Sequence, residues 1–377
     1  MEIYLDNSAT TRVSPTVAQL TCHMFTENYG NPSSLHHKGF VAEQALTTAR
    51  GQVAQVMGVR NDEIIFTSCG SEANNLALLG GCRALRRRGT KVITTATEHA
   101  SLLAAADALT REGFTVVRVA PSLDGTVSPE AIATEVDAQT VMVSVMHVNS
   151  ETGSINDLAA ISTAVKRINP NTLVHSDCVQ SFCRLPVTPE RFGVDMVTVS
   201  GHKIHGPKGA AALYRRKGVR LLPLYYGSEQ EGGLHAGTEN TPAICGMGLA
   251  AKELWDKRSE ATAHLTALRS HLIKKMENLE GVCINSPPNG ALHIVNLSLP
   301  GIGSEVMIHY LEQYEIYLSG GSACAKGAKS HVLTAMGLPP ERINGALRIS
   351  FCLDNTTEQV DILAQRLAEG IATLAKK

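Results

Sequence analysis

The chain has 377 residues, a formal net charge of −1, 44% hydrophobic residues and nine cysteines. That length exceeds one simple core and predicts two domains of ordinary size, while the near-zero charge gives no reason to expect nucleic acid or a membrane surface as partner. The cysteines are odd in number, scattered and without a CxxC pair, which argues against a disulfide framework or a zinc knuckle. No stretch approaches the ~20 apolar residues of a bilayer span, and the opening "MEIYLDNSATTRV" lacks a basic segment followed by an apolar run. The expected setting is a reducing, cytoplasmic one.

From about residue 60 to 215, short β-branched runs alternate with amphipathic stretches. "EIIFTS" precedes "EANNLALLGGCRALRRRG", "KVITTA" precedes "ASLLAAADALTREG", "TVMVSVMHV" precedes "DLAAISTAVKRI", and "TLVHSD" and "DMVTVS" follow. Apolar runs of four to eight residues separated by such stretches predict buried strands with covering helices, a doubly wound, mainly parallel α/β sheet. After "NTPAICGMGLA" the chain reads as a long helix to about 280. Then come "ALHIVNLSLP", a helix around "SEVMIHYLEQY", the strand "ALRISFC" and a last helix with Val360, Leu363, Leu367, Ile371 and Leu374 on one face. Thr356 and Gln359 are spaced as a capping box for that helix. The expected division is an N-terminal segment, 1–15, packed on the small domain, a large α/β domain, 16–250, and a smaller α+β domain, 251–377. The run "RALRRRG" reads as a solvated helix end rather than a nucleic-acid patch.

Ligands of such sheets bind outside the carboxyl ends of the strands, and four chemistry-bearing residues fall there. Lys203 follows "DMVTVS" in "GHKIHGPKG"; it is either a solvated surface lysine or an amine kept reactive by desolvation and neighbours such as His202. Asp177 ends "TLVHSD", where a fixed carboxylate suits a protonated pyridine-type nitrogen. In "FTSCGSEANN", Gly70 makes a turn and Ser71 opens a helix, a plain N-cap or an anion cradle. His99 in "TATEHAS" is a structural imidazole or one that stacks on a flat ring. Together the four supply what pyridoxal 5′-phosphate requires.

The order of these motifs resembles the group I cysteine desulfurases, among the class V, fold-type I pyridoxal-phosphate enzymes. The similarity runs from "YLDNSATT" and "GNPSSLHHKG" through "FTSCGSEANN", "EHAS", "HSDCVQ", "SGHKIHGPKG" and "GTEN" to "GSACAKGAKSHVL" and "LRIS". The resemblance implies that Lys203 holds the cofactor covalently, that Asp177 pairs with its ring nitrogen and that Gln180 meets its phenolic oxygen. It implies His99 stacked on the ring, Gly70, Ser71, Ser200 and His202 about the phosphate, and Thr238 reaching the phosphate of a neighbouring subunit in a homodimer. Arg348, with Asn31 and Ser150, is implied in binding L-cysteine through its carboxylate; for Arg348 a structural ion pair is the other reading. Cys324, in "SGGSACAKGAKSH", is implied as the nucleophile that takes the substrate sulfur as a persulfide, leaving alanine, and passes it to an acceptor protein. Lys326 and Lys329 would favour its thiolate, and Ser330 would cap the next helix.

The chain departs from that pattern at Ser150, where a second asparagine is usual, and at His235, where arginine is common. The chain stops at Lys377 directly after its expected final helix, so the extension that relatives use to dock a cluster-assembly scaffold is not expected. Two alternatives stay open: a selenocysteine lyase or other β-eliminating lyase in which Cys324 is dispensable, and a weakly active sulfur-relay or scaffold subunit.

Overall fold

The structure, a computed structural model, describes residues 2–320 and 329–374. A seven-stranded sheet runs in the spatial order Ile64–Thr67, Ala211–Arg215, Met196–Ser200, Leu173–Asp177, Thr140–Ser144, Lys91–Thr95, Thr115–Val119. Ala211–Arg215 is antiparallel to both neighbours; the remaining pairings are parallel. The three innermost parallel strands are buried along their whole length, because helices cover both faces and leave no solvent side for polar residues.

Strand alternation divides the side chains between those two faces. Phe66, Ile93, Val143 and Val197 pack toward helices His37–Met57, Leu158–Ile168 and Thr241–Asp256. Their neighbours Ile65, Val92, Met142 and Met196 pack toward Leu76–Cys82 and helix Ala100–Arg111 on the other side.

The long helix expected to about 280 is two helices, Thr241–Asp256 and Arg258–Glu277, hinged at Lys257 (φ −89°, ψ 5°). The break has a packing cause: Leu254 is buried in the large core, whereas Leu265, Leu268 and Leu272 are buried in a second one. That second core is formed by Arg258–Glu277, Ser304–Glu312 and Thr357–Leu374 around a four-stranded antiparallel sheet. Its order is Ser319–Gly320, Ala346–Ser350, Ile294–Ser298, Cys283–Ile284. The last helix buries Val360, Leu363 and Leu367, and Thr356 and Gln359 cap it reciprocally at 3.3 Å.

The chain's first strand, Ile3–Tyr4, lies parallel to Ile316–Tyr317, with Ile3 and Leu5 in the smaller core. From there residues 8–11 cross to the larger domain, where Thr11 N–H donates to the His202 carbonyl at 2.9 Å. Among the described residues no helix is long and apolar enough to cross a membrane, and no three His, Cys, Asp or Glu side chains cluster to hold a metal ion.

Candidate active site

The parallel strands all end on one edge of the large sheet, and a cavity of about 410 Å³ opens there. Its walls include Gly70, Ser71, His99, Ser150, Asp177, Gln180, Ser200, His202, Lys203 and Arg348, which the sequence singled out. Asn31 and Thr238 stand elsewhere, both exposed; Asn31 Oδ1 accepts the Ser33 N–H at 2.9 Å in a local turn. Cys324 lies outside the described residues.

Lys203 sits in the short 3₁₀ turn Gly201–Lys203 that directly follows its strand. Its Nζ donates to the carbonyl oxygens of Ser8 (2.5 Å) and Ala9 (2.7 Å), so the crossing segment holds the amine. His202 is packed against the same segment, its Nδ1 3.2 Å from Thr10 Oγ1. Burial, together with the nearby Lys203, Lys208 and His99, pushes its imidazole down to about 4, so it is neutral at ordinary pH.

Asp177 ends the central strand and is buried. Its Oδ2 accepts from Asn74 Nδ2 at 2.8 Å and its Oδ1 from Val179 N–H at 3.0 Å. The same Asn74 amide donates to Ser101 Oγ at 3.0 Å, and Ser101 Oγ lies 2.8 Å from His99 Nδ1. His99 Nδ1 also accepts the Ser101 N–H at 3.2 Å, capping helix Ala100–Arg111. One chain of hydrogen bonds therefore fixes carboxylate and imidazole together, through two residues the sequence reading did not assign.

On the small-domain side, Arg348 is buried in its strand. It pairs with Asp6 at 2.8 Å and donates to the Ser150 carbonyl at 3.0 Å. Both readings of this arginine thus meet in one geometry: it faces the cavity and carries an ion pair. Ser150 engages it through its backbone, so the usual asparagine side chain is not needed for that contact.

Two further carboxyls line the cavity. Glu98 accepts from Thr95 Oγ1 and Met146 N–H, each at 2.8 Å, yet burial pushes it up to about 8. Glu151 is pushed up to about 7 by burial, against the opposing pull of Ser330 Oγ and Arg348. Ser330 also caps helix His331–Ala335, accepting from Leu333 N–H at 3.0 Å. Burial therefore keeps Glu98 in its protonated, neutral form near neutrality.

Next to Ser71 in the chain, Glu72 Oε1 lies 3.1 Å from His235 Nε2 and also accepts from Tyr225 OH at 2.7 Å. The histidine that stands where arginine is common keeps a carboxylate partner.

Buried polar atoms are almost always hydrogen-bonded. Here Ser8 Oγ, Asn74 Oδ1, Glu98 Oε2, Gln180 Oε1, Ser200 Oγ and Arg348 Nε are sealed from solvent with no partner among the described residues, and all six residues line this cavity. Unsatisfied hydroxyls, amides and a guanidinium around a space in the range of small-molecule sites fit a polar, phosphorylated ring compound.

The profile of the family described as Aminotransferase class-V matches residues 3–363. A protein of Dictyoglomus turgidum named cysteine desulfurase IscS is 35% identical over 99% of this chain and 96% of its own length. One from Nostoc named cysteine desulfurase is 37% identical over 99% and 93%. Among solved structures, a NifS-like protein superimposes with a TM-score of 0.94 at 38% identity, covering 99% of this chain and all of its own.

Proposed function

Because the chain belongs to the aminotransferase class-V family, we propose that it is a pyridoxal-phosphate-dependent cysteine desulfurase that moves sulfur from L-cysteine onto Cys324. The observation that carries this reading is the ring of unpartnered buried atoms around a cavity bordered by Lys203 and Asp177. The names and near-complete overlap of the relatives support it.

Pyridoxal phosphate, when bound, supplies an electron sink for charge developed at the substrate α-carbon. In this reading Lys203 holds it covalently through Nζ and afterwards serves as the nearby base. Asp177, pinned by Asn74 and Val179, keeps the ring nitrogen protonated, and Gln180, whose Nε2 amide donates to the Ser8 carbonyl at 3.0 Å, is assigned to the ring oxygen as a donor. Ser200, His202, Ser71 and the Gly70 turn receive the phosphate; His99, held by Ser101, stacks on the ring. Arg348 orients the cysteine carboxylate, a task suited to a planar two-pronged donor, with Ser150 behind it. Asn31 is assigned to the same substrate. The Cys324 thiolate forms the new S–S bond as the substrate's Cβ–S bond breaks, and Cβ takes a proton to give alanine. Thr238 is assigned to the site of a second subunit in a homodimer, and the persulfide sulfur to a thiol-bearing acceptor protein.

Mass spectrometry of the cofactor-loaded protein after incubation with L-cysteine tests this. One added sulfur on the peptide bearing Cys324 is expected, and Cys324→Ala is expected to keep the cofactor's visible absorbance while losing both the added sulfur and alanine production. Undiminished alanine formation by that variant would overturn the assignment.

A further inference from the structure

A second cavity, of about 30 Å³, lies between the two domains. Cys183, Arg184 and His205 bound it from the large domain, and Arg258, His293 and Cys352 from the small one. It exceeds the ~10–15 Å³ that a single water needs. Its polar lining is one-sided: two arginines, two histidines and no carboxylate.

Arg184 reaches the surface along part of its length, but its guanidinium points inward. Nη2 donates to the carbonyl oxygen of Lys203 at 2.5 Å, whereas Nη1 is sealed from solvent and has no partner among the described residues. The acidic groups that act on it are the thiols of Cys183 and Cys352, and burial pushes both up, the second to about 11, so neither is a counter-ion at ordinary pH. His293 is fully buried, and its Nε2 is likewise sealed and unpartnered. Burial and the nearby Arg184 and Arg269 hold its imidazole well below its ordinary value, leaving it neutral with one N–H to donate. A buried guanidinium with no counter-charge and with Nη1 lacking an acceptor is an unfavourable arrangement for a protein interior. Water would supply the acceptor without the charge; a small anion supplies both.

We propose that this cavity binds a monatomic monovalent anion, chloride under ordinary conditions, held by Arg184 Nη1 and by His293 in the tautomer that carries its proton on Nε2. The site is separate from the large cavity but one bond removed from it, because the guanidinium that takes the anion also grips the backbone of Lys203. Since His293 belongs to the small domain, the anion bridges the two domains behind the reactive lysine.

The direct test is anomalous diffraction from crystals of the cofactor-loaded protein grown in sodium bromide. A bromine peak within hydrogen-bonding distance of Arg184 Nη1 is expected, and no peak in Arg184→Met. In solution, replacing gluconate by chloride at constant ionic strength should raise the melting temperature saturably; at tenfold excess over Kd, unfolding is disfavoured roughly tenfold. That gain should vanish in Arg184→Met and weaken in His293→Phe. A cavity holding only water in concentrated bromide, or a chloride effect unchanged in Arg184→Met, would overturn the proposal; if the variant does not fold, the wild-type bromide map decides alone.

Discussion

Asn74 donates its side-chain amide to the buried Asp177 carboxylate at 2.8 Å, across 103 residues of chain. Its Nδ2 has a second hydrogen for Ser101, while its Oδ1 stays unpartnered at the cavity wall. Asn74→Ala therefore strips a buried carboxylate of one donor, at a cost of about 1–3 kcal/mol. Urea denaturation should register that loss, and the variant should release pyridoxal phosphate more readily on dialysis. Unchanged stability and unchanged retention together would show that Val179 N–H alone suffices for Asp177.

Glu98 supplies a pH signature. Its ordinary value is 4.5 and burial raises it to about 8. Below about 4.5 the carboxyl is protonated in both folded and unfolded states. Between about 4.5 and 8 the folded protein keeps a proton that the unfolded chain has lost, so stability falls as pH rises through that window and levels off above it. Glu98→Gln, neutral throughout, should flatten much of that decline, on the order of a few kcal/mol. Glu151, shifted in the same direction, contributes to what remains. Denaturation midpoints across the pH range would check this, and an identical slope in the variant would count against it.

The Asp6–Arg348 pair separates a structural role from a substrate role. Its two partners are 342 residues apart, and the arginine side chain is only 2% exposed. Asp6→Asn leaves the guanidinium without its charge partner, and breaking a buried pair costs ~3–5 kcal/mol; the partly exposed Asp6 places the expectation at the lower end. Arg348→Lys keeps a positive charge but not the fork. It should raise KM for cysteine about tenfold or more, with a smaller loss of stability than Asp6→Asn. An unaltered KM in Arg348→Lys would leave the arginine with its ion pair as sole duty.

His235 and Glu72 predict a second pH dependence. Glu72, chiefly through its hydrogen bond, raises His235 above its ordinary 6.5. The imidazolium's contribution is fully present below about 6.5 and is lost as pH rises through the elevated value. Glu72 is desolvated, but its hydrogen bonds to His235, Ser68 and Tyr225 outweigh burial and lower it to about 2, so its contribution is lost only as pH falls below 4.5 toward that value. His235→Arg should preserve the pair at high pH. Melting temperatures at about pH 6 and about pH 9 should fall between the two in the parent protein and change less in the variant.

Lys203 and Asp177 were legible because each ends or follows an apolar run, and parallel strands deliver their carboxyl ends to one edge; Ser200 came only with the resemblance. His99 and Gly70 follow strands in the same way. Asn74 was not legible: it lies inside a helix, and its partners are 27 and 103 residues away. Asp6 and the carbonyls of Ser8 and Ala9 depend on a chain crossing between domains, which no local pattern encodes. Glu98 stood within a motif already noticed and Glu151 directly follows Ser150, but their raised values come from burial that only the fold creates. Among the strands, Thr115–Val119 is β-branched but lies at the sheet edge, half exposed and interrupted by Arg118, and Ala211–Arg215 begins with two alanines and so did not announce itself as a β-branched run. The hinge at Lys257 was missed because helical periodicity continues across it while the core being faced changes.

The crossing segment also fixes when the site is finished during synthesis. Residues 3–5 have no strand partner until Ile316–Tyr317 exists, and Asp6 must wait for Arg348 and Ser350. The carbonyls that grip Lys203 are positioned by that late pairing. A ribosome can therefore release most of the larger domain into a folded sheet while the lysine still lacks its anchors, and the pocket is completed only as the last strand emerges.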